Sequence, residues 1–360
     1  MISTATNTQP ALSDHDVASL QDAIEGWGLN AHHAARVLKE FYRTGGRVDF
    51  SALKVGHVLE ARLATEIALR QSTTLQRKVS SDGTVKFLLG LQRGGAVEAV
   101  LMDSATPGRA AGCISSQIGC AMGCDFCAST KRGLERNLEA GEIVEQFLQL
   151  RAEALDSGRQ LRTLVFMGMG EPLQNYDNVL AAVQRIAGAG LGEFGWRQIC
   201  ISTVGIVPGI QRLADENHNV VLALSLHAPD DETRSRIVPM NKRYSVAEIM
   251  DATRKYATKT GRIPNIEYCM LKDVNDSDAQ ARLLGELMRG FRAHVNLIPY
   301  NWIGTGVSGA EYSQPSAERL AAFMAILRDA GVHAHFRKTR GEDVNAACGQ
   351  LREIADAPAV

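Results

Sequence analysis

Apolar residues recur at helical spacing over the first seventy positions. Val17, Leu20, Ile24 and Trp27 share one face of a helix predicted to be capped by Ser13, with Asp14 and Asp16 in its first turn and Gly28 at its end. Ala34, Val37, Leu38 and Phe41 mark a second helix, stopped by Gly45-Gly46. A third is predicted over 51–69, and residues 1–12 read as a disordered start. The period then changes to two. Residues 73–80 and 84–91 are strand-like runs around Asp82-Gly83, a strong hairpin signal, and 97–102 is a third run. Glu98 lies inside it between apolar neighbours, where the plain reading is the solvent-facing half of a strand.

From residue 112 to 299 strands and helices alternate. Strand-like runs fall at 111–116, 162–168, 198–202, 220–226, 265–271 and 294–299, with helical patterns such as 141–154, 175–186, 245–258 and 279–289 among them. A last helix is predicted over 316–330 and a last strand over 333–338. Such alternation predicts an α/β fold, a parallel sheet covered by helices. Six units are too few to close an eightfold barrel, so a partial (β/α)6 barrel fits. The chain divides into an N-terminal helical accessory region (1–70), a β-hairpin segment (71–103), the partial barrel (104–340) and a tail (341–360). In such sheets ligand sites form at the carboxyl ends of strands. Met167-Gly168-Met169-Gly170-Glu171-Pro172, Ser202-Thr203, Ser225-Leu226-His227 and Pro299-Tyr300-Asn301 all fall at predicted strand ends.

The run from Cys113 to Cys127 carries the sharpest chemistry. Cys120, Cys124 and Cys127 form a C-x3-C-x2-C pattern on one loop, with Gly119 and Gly123 free to wrap closely. Three thiolates can hold three corners of an iron–sulfur cubane, which normally takes four cysteines, so one iron keeps an open position. The alternatives are a zinc knuckle, which lacks a nearby fourth Cys or His, and a set of buried thiols. Gly170 and Glu171 offer a close backbone approach and a carboxylate that can accept from an ammonium group. His227 alone is as readily a structural histidine. Cys200 and Cys269 sit in apolar strands and read as small buried hydrophobes. Cys348 lies among Ala and Gly residues in the tail, and Cys113 ends a predicted strand.

Composition changes the picture little. The 360 residues are 45% hydrophobic and 22% charged, with net charge −1, so the protein is not basic throughout, although a local basic face can still bind nucleic acid. Seven cysteines without a secretory pattern point to reduced thiols in the cytoplasm. No apolar run approaches the ~20 residues of a membrane span.

The cysteine loop resembles that of radical S-adenosylmethionine (SAM) enzymes. Taken with Gly112–Gln117, Met167–Pro172, Ser225–Pro229, Ile298–Asn301 and the stretch 337–351, the chain resembles the RlmN/Cfr family of adenosine RNA methyltransferases over most of its length. The Lys338-Thr339-Arg340-Gly341 lead-in to Cys348 is closer to RlmN. That resemblance implies a 4Fe-4S cluster on Cys120, Cys124 and Cys127, and SAM contacts at Gly170, Glu171, Ser202, Ser225, Leu226, His227 and Asn301. It implies that Cys348 carries a methyl group, that a radical made from a second SAM turns it into a methylene radical, and that this adds to adenine C2. Cys113 then resolves the protein–RNA adduct through a transient disulfide with Cys348, and Glu98 matches the proton acceptor. RlmN enzymes methylate C2 in large-subunit ribosomal RNA and some transfer RNAs; Cfr enzymes methylate C8. The implied partners are RNA and an electron donor such as flavodoxin or ferredoxin, with no membrane and a monomeric chain. A non-catalytic iron–sulfur RNA-binding redox sensor is the reading outside the enzyme class. The stretch 302–313 departs from the family, which has a shorter, Pro-containing segment there. Candidate phosphate-contacting residues are Lys131-Arg132 with Arg136, Arg234 with Arg236, Lys242-Arg243, and Arg337-Lys338 with Arg340.

Overall fold

A computed structural model describes residues 9–351; the expectations for residues 1–8 and for the end of the tail, 352–360, lie outside the described residues. Four helices come first: α1 (Val17–Gly26), α2 (Ala34–Arg43), α3 (Phe50–Leu53) and α4 (His57–Glu66). Asp16, not Ser13, caps α1, its carboxylate accepting from Ser19 N–H at 2.8 Å. Ser13 is buried and donates instead to Glu145 at 2.6 Å. The single helix expected over 51–69 is two, because Lys54 (φ 51°) and Gly56 (φ 91°) take left-handed backbone between α3 and α4. Residues 9–12 are not a loose start: Ala11 bridges to Ala68 and Leu12 is fully buried.

Strands β1 (Ser72–Val79), β2 (Val85–Leu91) and β3 (Ala96–Asp103) form an antiparallel meander, and β4 (Arg109–Cys113) pairs antiparallel with β3. A small two-stranded sheet follows, β5 (Gln117–Gly119) with β6 (Leu134–Asn137). The chain then runs α5 (Ala140–Asp156), β7 (Gln160–Phe166), α6 (Tyr176–Ala187), β8 (Ile199–Thr203), α7 (Val207–Glu216) and β9 (Val221–Ser225). It continues α8 (Asp231–Ile237), α9 (Val246–Thr260), β10 (Asn265–Met270), α10 (Asp278–Leu287), β11 (His294–Pro299), α11 (Ala317–Asp329) and β12 (Ala334–Phe336). From β4 onward the pairs are parallel, in the order β4-β7-β8-β9-β10-β11-β12. The six expected barrel strands are present, extended at one edge by β12 and continuous at the other with β3, β2 and β1. β1 pairs only with β2 and β12 only with β11 among the described residues, so the two ends of the sheet do not meet and the barrel is open.

Helices cover one face of the sheet. The other encloses a lumen entered by the tail, where Ala346 and Leu351 pack with Val100, Cys113, Val165 and Cys200. This corrects the reading of Glu98 as solvent-facing. Val100 is paired with Cys113 and with Lys86 across the ladders, so Lys86, Glu98, Val100 and Cys113 share the lumen face. Glu98 is 3% exposed there and is held by Lys86 Nζ at 2.6 Å.

Candidate active site

Two clefts meet in the lumen, and Cys348 lines both. The first has a cavity volume of about 150 Å³. Cys120, Cys124 and Cys127 form one wall, while Gly170, Glu171, Ser202, Ser225 and His227 face it from the carboxyl ends of β7, β8 and β9. Local backbone explains how the thiols arrive together. Gly119 is at φ 70°, and a Cβ there would lie 1.9 Å from the Gly133 carbonyl oxygen, so only glycine lets β5 close against the loop before β6. Gly170 is at φ 96°, and a Cβ there would lie 2.5 Å from Gln117 Cβ. Asp125 N–H then donates to Ile237 O at 3.0 Å, fixing the loop to the end of α8.

Burial raises the Cys120 thiol to about 12 and also raises Cys124 and Cys127. Arg234 opposes the rise at Cys124. This arginine is fully buried and donates to Leu226 O, Val204 O, Ser225 O and Asn241 Oδ1. Among the described residues it forms no ion pair. It is therefore unavailable to RNA, contrary to the expectation for that basic run. Arg136 is likewise engaged, with Glu142 at 2.7 Å.

Glu171 is buried, its two oxygens accepting from Leu173 N–H (3.0 Å) and Val204 N–H (2.9 Å). Burial lifts its carboxyl to about 7. His227 is held at φ 60°, edge-on to Phe126, and its Nδ1 accepts from Cys269 N–H at 3.0 Å. Burial, with Arg234 adding to it, lowers its pKa to about 3, so the ring is neutral and its remaining proton sits on Nε2. Ser202 and Ser225 hydroxyls are 3.2 Å apart. Leu226 is packed in the core rather than on the cleft, and Asn301 lines the second cleft instead of the first.

The second cleft, about 650 Å³, runs from Cys113 and Cys348 to the amino ends of the strands. Arg109, Arg162 and Arg197 stand at the starts of β4, β7 and β8, and Arg337, Lys338 and Arg340 follow β12. Asp103 is the acid among the described lining residues, and Arg159 holds it at 2.6 Å. Of the expected basic runs, only 337–340 lines this cleft. The three arginines at strand starts carried no local sequence signal, being isolated in the chain and gathered only by the sheet.

The tail is fastened between the two sides. Asn301 Nδ2 donates to Cys348 O (3.0 Å), Ala128 N–H to Gly349 O (2.7 Å) and Ser129 Oγ to Leu351 O (2.7 Å). Lys86 Nζ donates to Asn345 O at 2.9 Å, and Ser80 Oγ to Asp343 at 2.5 Å. Cys348 is exposed to the cleft yet enclosed by protein, so burial raises its thiol while Arg337 works against the rise. Cys113 is buried and raised to about 12, mainly by burial and then by Cys348 nearby. Cys200 and Cys269 are buried as expected, but both face the clefts. Sequence reasoning missed Glu267, a buried acid on β10 that lines the first cleft. The stretch 302–313 closes over the thiol loop: Asp125 accepts from Ser308 N–H (2.7 Å) and Tyr312 OH (2.6 Å).

A parallel sheet whose carboxyl ends carry three loop thiols and a glycine–carboxylate motif defines a radical SAM enzyme, and residues 114–283 match the family model described as the radical SAM superfamily. The chain is 48% identical to a probable dual-specificity RNA methyltransferase RlmN 1 of Opitutus terrae, over 96% of this chain and 97% of that protein. It is 45% identical to a probable dual-specificity RNA methyltransferase RlmN of Thermotoga neapolitana, over 95% and 97%. The crystal structure of a radical SAM methyltransferase from Sphaerobacter thermophilus superposes with a TM-score of 0.89 at 43% identity, covering 95% of this chain and 99% of that one. The chain belongs to the RlmN family of radical SAM methyltransferases.

Membership in that superfamily implies a 4Fe-4S cluster and SAM. The site fits them. A cubane held by three thiolates is anionic, and the buried Arg234 guanidinium, on which Cys124 acts more strongly than Asp231 and which forms no direct ion pair among the described residues, is placed to balance that charge.

Proposed function

We propose that the protein methylates C2 of an adenosine in large-subunit ribosomal RNA, and in transfer RNA, with Cys348 as the methyl carrier. The observation that carries this reading is the position of Cys348, on the wall shared by the thiol cleft and the arginine-lined cleft. Cys120, Cys124 and Cys127 would hold a 4Fe-4S cluster, which would supply the electron that turns bound SAM into a carbon radical. The protein's own residues do the rest. Glu171 accepts from the ammonium of SAM, and an ionised Glu171 is favoured once that charge arrives. Neutral His227 donates through Nε2, and Ser202, Ser225 and Gly170 complete the cofactor wall. Asn301 acts on Cys348 directly, holding its carbonyl.

Adenine C2 is an electron-poor carbon that no ordinary methyl transfer reaches. A methyl group on the Cys348 sulfur lies where both clefts open, so the carbon–carbon bond to C2 starts there. Cys113, on the same lumen, attacks the Cys348 sulfur; the disulfide forms as the sulfur–methylene bond breaks, the methylene carbon keeps the electron pair and takes a proton to become the product methyl, and a thiol reductant restores both cysteines. Glu98 is the proton acceptor, oriented by Lys86. The base must leave its stack to reach the lumen. Arg109, Arg162, Arg197, Arg337, Lys338 and Arg340 face the phosphates on either side of it. Electrons come from a flavodoxin or ferredoxin, and the protein works in the cytoplasm as a monomer; among the described residues no helix is long and apolar enough to cross a membrane. The test is mass spectrometry of nuclease-digested RNA from cells with and without the gene. The expected result is 2-methyladenosine that disappears with the gene. Loss of 8-methyladenosine instead, or an unchanged profile, refutes the proposal, and the latter favours a non-catalytic sensor.

A further inference from the structure

Glu267 is the buried group on the cleft wall for which the reaction as outlined has no use. It sits in the middle of β10, opposite Ser225 on β9 and Asn296 on β11. It is 3% exposed and lines the first cleft, near its junction with the second, since Cys200, Cys348 and Arg337 of the second cleft interact with its charge. Oε1 accepts from Asn296 Nδ2 at 2.6 Å, whereas Oε2 has no hydrogen-bond partner among the described residues. A buried polar atom left unpaired costs about 1–3 kcal/mol, so such an atom on a cleft wall calls for a partner from outside the chain. Ser225 and Asn296 flank it without reaching Oε2, whereas both oxygens of Glu171 in the same cleft already accept from backbone N–H groups.

We propose that Glu267 hydrogen-bonds through its free oxygen to a ring nitrogen of the target adenine, and by doing so presents C2 to Cys348. The proposal rests on the adenine-C2 reading above. C2 lies between N1 and N3, and both are acceptors. C8 is flanked by N7 and the glycosidic nitrogen, so a donor that engages N1 or N3 favours C2 over C8. A bond donated to either nitrogen also withdraws electron density from C2 and makes that carbon more receptive to an adding radical. The acid form of Glu267 is the one that can donate. Burial raises its pKa, and Arg337 and then the hydrogen bond from Asn296 oppose the rise. The other titratable groups facing it are the Cys348 thiol of the tail and the Cys200 thiol of β8; Ser225 and Asn296 on the adjoining strands carry no charge.

The test compares the holoenzyme with its Glu267→Leu and Glu267→Gln variants, given an RNA oligonucleotide that the unaltered protein methylates. Three quantities are read: methylated adenosine and its position, 5′-deoxyadenosine released from SAM, and RNA affinity. Glu267→Leu is expected to lower methylation about five- to hundredfold, the loss of one buried hydrogen bond, with 5′-deoxyadenosine unchanged and RNA affinity lowered by no more than that factor. Glu267→Gln keeps a donor, so it restores most activity, and it abolishes the decline that the unaltered protein shows as pH rises and the acid form is lost. The proposal is overturned if Glu267→Leu methylates at the original rate. It is overturned equally if 5′-deoxyadenosine falls in step with methylation, since that would make Glu267 a cofactor ligand. Absence of any methyladenosine from the unaltered protein would instead strike the reading on which the proposal stands.

Discussion

Lys86 joins two parts of the site that are far apart in sequence, and removing its charge is a quantitative test of that junction. Its ammonium lies 2.6 Å from Glu98 Oε1 and 2.9 Å from the Asn345 carbonyl of the tail. The two side chains are only 11% and 4% exposed, so solvent screens the pair little. Lys86→Met keeps the packing of the stem and deletes both bonds. Removing one partner of a buried pair costs about 3–5 kcal/mol, and the lost bond to Asn345 adds about 1 kcal/mol. Glu98→Gln in the same background removes the charge that Lys86 had balanced, so the double variant should recover part of the loss. The expected coupling in a double-mutant cycle of denaturant unfolding is about 2–3 kcal/mol. Cys348 should also react faster with iodoacetamide in Lys86→Met, because the tail loses an anchor three residues away. Additivity of the two substitutions within about 0.5 kcal/mol would refute the claim that Lys86 and Glu98 act as a unit.

Glu171 gives a pH signature. Its folded pKa of about 7 exceeds its ordinary value of 4.5, so the folded cofactor-free protein binds the extra proton between those values. Its contribution favours folding at low pH, and stability falls by roughly 3 kcal/mol as pH rises through the window. Glu171→Gln should remove that slope in unfolding curves taken on either side of it. Arg234→Met should lower the iron and sulfide bound per chain after anaerobic reconstitution, because it removes the buried positive charge beside Cys124; unchanged content would show that the cluster needs no such counter-charge. Arg162→Glu with Arg197→Glu should weaken RNA binding by tenfold or more at low salt and flatten its salt dependence, leaving 5′-deoxyadenosine formation intact.

The alternation of strand and helix was plain in the chain because parallel strands buried on both faces read as short apolar runs. The meander was plain because Asp82-Gly83 fits a tight turn. What the pattern did not reveal was that the meander and barrel share one sheet, since pairing across a connection leaves no local trace. Glu98 shows the same limit. Alternation places it opposite Val97 and Ala99, but only the tail's return into the lumen makes that face an interior. The three loop thiols were legible from spacing alone. Glu267 was not, because a lone acid in a strand looks like any surface position until its neighbours on β9 and β11 are known. Arg234 misled for a related reason: a charge inside a polar stretch gives no sign that α8 turns it inward.

The claim that matters most is that Cys348 bears the transferred methyl group. Reconstituted protein can be incubated anaerobically with SAM carrying a deuterated methyl group, then digested and sequenced by mass spectrometry. The account predicts one labelled methyl on the sulfur of Cys348 and none on the other six cysteines, with the label passing to RNA on its addition. Label on a different residue, or in RNA while Cys348 stays unmodified throughout, would contradict it.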